Sequence, residues 1–140
     1  MKTSNLFWKE IQVGQFIEES MDMGYLDGKL ISNDSKNANL FLDIVSKLEI
    51  MSVMGNPQNG IRAILKDETN FSMNVLVLGI TEKMELSLKM IVGKQETIDW
   101  YLKNVPEEKL LITTYKNNGE KSAETKNSNK IWSKLKNLWA

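Results

Sequence analysis

The apolar positions of this chain fall into blocks with different periods, and each block predicts an element. In residues 4–20, Leu6, Val13, Ile17 and Met21 fall on one helical stripe, with Gln12, Gln15, Glu19 and Asp22 opposite. Ser4 stands where a helix cap would stand. The block is read as a helix, with a strand through Ile11 and Val13 as the alternative. Residues 21–33 predict a hairpin turning at Asp27-Gly28, a pair suited to the positive φ angles of a type I′ turn. Residues 37–54 predict the longest helix. Phe41, Ile44, Val45, Leu48 and Met51 recur at three and four, and Leu40, Leu42, Ile50, Val53 and Met54 make it apolar nearly all round. Gly55 and Pro57 close it.

Residues 60–92 change to a period of two and predict a three-stranded meander. Ile61, Ala63 and Leu65 alternate with Arg62 and Lys66, and residues 67–70 form a turn. Val75, Leu76, Val77 and Leu78 are apolar on both faces, which marks an interior strand covered from two sides. Met84, Leu86, Leu88, Met90 and Val92 face one way, and Lys83, Glu85, Ser87 and Lys89 the other. Residues 95–105 predict a short helix ended by Pro106, and residues 109–115 a last strand.

The order of helix, hairpin, long helix, meander and helix resembles the roadblock family, within the profilin-like group. The resemblance runs over about residues 4–105, through Tyr25-Leu26-Asp27-Gly28-Lys29-Leu30-Ile31-Ser32, the helix from Asn39 and the meander. It implies an α+β fold, an antiparallel sheet with helices on both faces. It also implies a homodimer paired through Phe41, Val45 and Leu48 of the long helix and Val75 and Val77 of the sheet. The partners it implies are small GTPases or larger assemblies, met as a scaffold or regulator and not as an enzyme. Gly93-Lys94-Gln95-Glu96 departs from the family's usual opening of the last helix, and the strand at 109–115 is extra.

Composition adds what the pattern cannot. The 140 residues include no histidine and no cysteine. Disulfides, Cys/His zinc sites, Ser-His-Asp triads and cysteine nucleophiles are therefore excluded. No cofactor or metal is expected. Eighteen basic and eighteen acidic residues cancel, and Arg62 is the only arginine, so duplex nucleic acid is not an expected partner. No apolar run approaches the roughly 18 residues of a spanning helix, and the opening residues lack a signal-peptide layout. A cytoplasmic protein is expected. Glu18-Glu19 and Glu107-Glu108 read as solvated faces, not as an acid–base pair. The loop at 55–60 lacks the lysine and hydroxyl of a phosphate cradle, and the stretch near Asp34 lacks the glycine of a calcium loop. Asn33-Asp34-Ser35 and Asn70-Phe71-Ser72 match the glycosylation triplet but mean nothing without secretion. Met21 and Met23 are candidates for an adaptable contact surface.

Residues 1–116 are thus read as one domain, 117–129 as a flexible linker without a large apolar residue, and 130–140 as an amphipathic docking helix. Five lysines and two glutamates make residues 117–140 basic. Ile131, Trp132, Leu135, Leu138 and Trp139 share one face of that helix and form the candidate partner-binding set. A helix this short needs a receiver. The receiver is this chain or a sister subunit, a groove on another protein, or, ranked last, an anionic membrane surface. The leading expectation is a non-catalytic interaction module. The alternative is a stoichiometric enzyme inhibitor, such as an immunity protein or a phage-encoded antagonist.

Overall fold

The computed structural model describes residues 2–108. The expected strand at 109–115, the linker and the docking helix with Ile131, Trp132, Leu135, Leu138 and Trp139 lie outside the described residues. Six strands run β1 (Thr3–Trp8), β2 (Ile11–Asp22), β3 (Tyr25–Ser32), β4 (Ile61–Lys66), β5 (Ser72–Ile80) and β6 (Glu85–Met90). Among the described residues three α-helices accompany them, α1 (Lys36–Val45), α2 (Ile50–Gly55) and α3 (Gln95–Asn104), with a single 3-10 turn at Pro57–Asn59. The strands close into an antiparallel barrel in the order β1-β2-β3-β6-β5-β4. This corrects the expected α+β fold: among the described residues no open sheet carries helices on both faces, and the roadblock-like order does not hold.

The first correction starts at residues 4–20. They form two strands, not a helix. Trp8 pairs with Ile11 across the two-residue turn Lys9-Glu10, and both turn residues have positive φ (55° and 68°). That is the conformation of a type I′ hairpin, built here without asparagine or glycine. The register then shifts between Leu6 and Phe7, where Val13 is inserted as a bulge. The bulge lets both Val13 and Phe16 face the core.

The second hairpin also turns elsewhere than expected. Asp22 pairs with Tyr25 around Met23-Gly24 (φ 53° and 88°). Asp27 and Gly28 lie inside β3 instead, with Gly28 opposite Glu18. A Cβ on Gly28 would sit 2.1 Å from the Ile17 carbonyl oxygen and 2.9 Å from the Phe16 ring. The glycine is there for a close approach between strands, not for a turn.

The long helix is two helices. The Ser35 hydroxyl accepts from the Ala38 amide (3.0 Å) and starts α1. After Val45 the chain tightens, with Lys47 and Leu48 amides donating to the Ile44 and Val45 carbonyls, and α2 begins at Ile50. The two helices do different work. Ala38, Phe41, Ile44 and Val45 of α1 join the interior core, where the Phe41 ring meets Trp8 at 5.7 Å between centroids. Val53 of α2 belongs to an outer layer with Leu76, Leu78, Ile91 and Tyr101. The meander forms as three strands, and β5 is covered from both sides as its pattern requires. Val75 and Val77 face the barrel interior, and Leu76 and Leu78 face α2 and α3.

Candidate functional site

The topology sets six strand ends at each mouth of the barrel. At one mouth lie the end of β1 and the start of β4, and α1 plugs it with Phe41 against Trp8. Trp8 Nε1 donates to the Glu107 carbonyl there, Asn37 donates to the Trp8 carbonyl, and Lys9 pairs with Glu108. At the other mouth lie the starts of β1, β3 and β5 and the ends of β2, β4 and β6. No helix of the described residues plugs that end.

The open mouth has a notch, and strand lengths explain it. β2 has twelve residues and β1 only six, so β2 beyond Glu18 has no neighbour on its β1 side among the described residues. Above the start of β1 is a cavity of about 190 Å³. Leu65, Met73 and Met90 give it an apolar floor, and Phe71 stands at its edge, 65 % exposed. Its polar lining is Ser4, Glu18, Lys2 and Asp67. Met21 pairs with inward-facing Leu26, and the Met90 amide donates to the Gly24 carbonyl beyond Met23. Exposed Met21, Met23 and Val92 therefore belong to the same end as Phe71, and Met23 is 88 % exposed.

Ser4 is the one buried polar side chain among the described residues, 7 % exposed, and it lines this cavity. Its hydroxyl meets no hydrogen-bond partner among the described residues. A buried hydroxyl left unpaired costs about 1–3 kcal/mol, and a hydrogen-bonding group entering the mouth would offset that cost. Glu18 has no ion pair among the described residues either. Asp67 differs, because its carboxylate is already engaged. Oδ1 accepts from the Thr69 hydroxyl (2.7 Å), the Thr69 amide (2.9 Å) and the Phe71 amide (3.0 Å). The Thr69 hydroxyl first, then the Phe71 and Thr69 amides and the Lys2 charge, hold this carboxyl below the ordinary aspartate range, against an opposing desolvation. The same bonds shape the β4–β5 turn and so fix Phe71 at the rim. On the outer side of β1, a second depression of about 230 Å³ shares Asp67 and is lined mainly by polar groups, including Asn5, Gln15 and Lys66.

The residues expected at a dimer interface are otherwise placed. Phe41, Val45, Val75 and Val77 are fully buried in the barrel's own core, and Leu48 is partly buried against both layers. Each mouth residue was visible in the sequence under another reading. Ser4 stood as a helix cap, Glu18 as half of a solvated pair and Phe71 as the middle of a glycosylation triplet. Met21 and Met23 were the one direct signal. Among the described residues, no helix is long and apolar enough to cross a membrane, and no group of three or more acidic residues is placed to hold a metal ion. Comparison with models of known protein families, with curated proteins and with solved structures finds no match.

Proposed function

We propose that this chain is a non-catalytic protein-interaction module that binds through the open end of its barrel. The observation that carries this reading is the contrast between the two ends. One is plugged by α1 and sealed by Trp8. The other leaves a cavity with exposed Phe71 at its edge, and exposed Met21, Met23 and Val92 lie at the same end of the barrel. Mouths of small barrels are common binding sites, and methionine and aromatic side chains suit a surface that must fit a partner.

Met23 sits in its hairpin turn at φ 53° and is almost fully exposed, so its side chain stands free at that end. The small-GTPase partner and the homodimer drew on an element order that closes into a barrel, and the geometry lends them no support. The partner is defined here by the surface it must fit. The segment with Trp132 and Trp139 stays a second proposed contact on its sequence pattern alone. A cytoplasmic location stays a proposal on similar terms, from the sequence pattern alone.

The test is charge insertion on the full chain. Met23→Glu and Phe71→Glu are expected to abolish capture of a partner that the native protein retains. Leu40→Glu, at an exposed position on α1 by the plugged end, is expected to keep it. Retention by both rim variants contradicts the assignment.

A further inference from the structure

Resting on that reading, we propose that the open mouth is a receptor for an alkylguanidinium group, the side chain of an arginine on a partner protein. Size comes first. A cavity of about 150 Å³ holds a benzene-sized molecule, so about 190 Å³ has room for one long side chain. Shape comes next. Leu65, Met73 and Met90 offer an apolar bed for the three methylenes of such a stem, and the exposed Phe71 ring gives a cation a π-face at the entrance.

Charge selects the head group. The lining holds two carboxylates, Glu18 and Asp67, and one ammonium, Lys2. The Asp67 carboxylate is already held by the Thr69 hydroxyl and the Phe71 amide. The Glu18 carboxylate makes no ion pair among the described residues, although Lys2 lines the same cavity. Beside it is the Ser4 hydroxyl, more than nine-tenths buried and without a partner among the described residues. The carboxylate only accepts and the hydroxyl can accept as well as donate, so a donor with several N–H groups can serve both lining groups at once. A guanidinium carries five donors in a planar fork and stacks on aromatic faces. It can serve Ser4 and Glu18 together while its plane meets Phe71. An anion would gain only Lys2 and would face both carboxylates.

The experiment is a titration of the full chain with Nα-acetyl-arginine methylamide, followed by NMR at the Met73 and Met90 methyls and the Ser4 amide. A matched citrulline amide, neutral and of the same length, is the control. Arginine is expected to shift all three signals, with an affinity on the order of millimolar, as for a single side chain. The citrulline amide is expected to leave them unmoved. Glu18→Gln is expected to weaken the arginine probe about fivefold, and Ser4→Ala about threefold. Added salt is expected to weaken it too. Equal binding of both probes, or an affinity unchanged in both variants, overturns the cation assignment and leaves the rim reading standing. No shift at the mouth with either probe overturns it as well. The rim reading fails separately, when Met23→Glu and Phe71→Glu keep their partner.

Discussion

At the residue scale, the barrel depends on a few side chains with no freedom to change. Phe41 is fully buried against Trp8 where α1 plugs the barrel. Phe41→Ala is expected to lower stability by about 3–5 kcal/mol, read as a shift in the urea midpoint at unchanged slope. Gly28→Ala is expected to be comparably harmful for a different reason. Its Cβ would press on the Ile17 carbonyl, a backbone atom that cannot swing aside, so the β2–β3 register must shift. A loss of amide protection along both strands in hydrogen exchange would show it. Asp67 gives the pH dependence. Its carboxyl is held below the ordinary aspartate range chiefly by the Thr69 hydroxyl. A depressed pKa stabilises the fold above the unfolded-state value, and that contribution is lost as pH falls through the folded-state value. The native protein is therefore expected to lose stability progressively below about pH 5, and Asp67→Asn to flatten that acid limb. Urea midpoints measured from pH 7 to pH 3 check it, and parallel curves for the two proteins would show that Asp67 contributes nothing.

At the element scale, the turns explain what was legible. β4 and β6 could be read from the sequence because their buried and exposed positions alternate, and β5 because its apolar run lies between two turns. The cue at their first turn, Asp67 ahead of Thr69, is also the bond that forms it. The two-sided apolar run Val75–Leu78 announced its two coverings, the interior core and the α2/α3 layer. The first two strands were hidden by two things. The bulge at Val13 breaks the period of two, so that Leu6, Val13 and Ile17 fit a helical spacing by accident. The turns Lys9-Glu10 and Met23-Gly24 lack the usual asparagine, while Asp27-Gly28 offers the favoured pair in mid-strand. The split of residues 37–54 was hidden as well. An all-apolar pattern shows that every side is covered, but not that α1 enters the barrel while α2 packs outside it. The mouth itself was not legible, because its residues come from five separate strands and from the turn between β4 and β5. Replacing Met23 by asparagine restores the preferred turn pair and is expected to add about 0.5–2 kcal/mol of stability. Thermal unfolding measures that gain. The same variant is expected to bind its partner less well, since a rim methionine is lost. Unchanged stability would mean that the turn carries no strain worth relieving.

At the scale of the whole molecule, one fold separates two tasks. The β1–β4 pairing of Asn5, Leu6 and Phe7 with Lys66, Leu65 and Ile64 closes the barrel. Closure removes the free sheet edges through which open sheets aggregate. The α1 plug then completes a core at one end, and the mismatch between long β2 and short β1 leaves the other end open. Stability is thereby concentrated away from the surface proposed to bind, so rim substitutions outside the strained Met23 turn are expected to change recognition with little effect on folding. The most direct measurement is site-specific photocrosslinking in living cells. A photoreactive phenylalanine analogue replaces Phe71 at the open end in one protein and Leu40 at the plugged end in another. A discrete adduct from position 71 and none from position 40 is the expected result. Adducts of equal yield from both positions, or none from position 71, would contradict the open mouth as the binding surface.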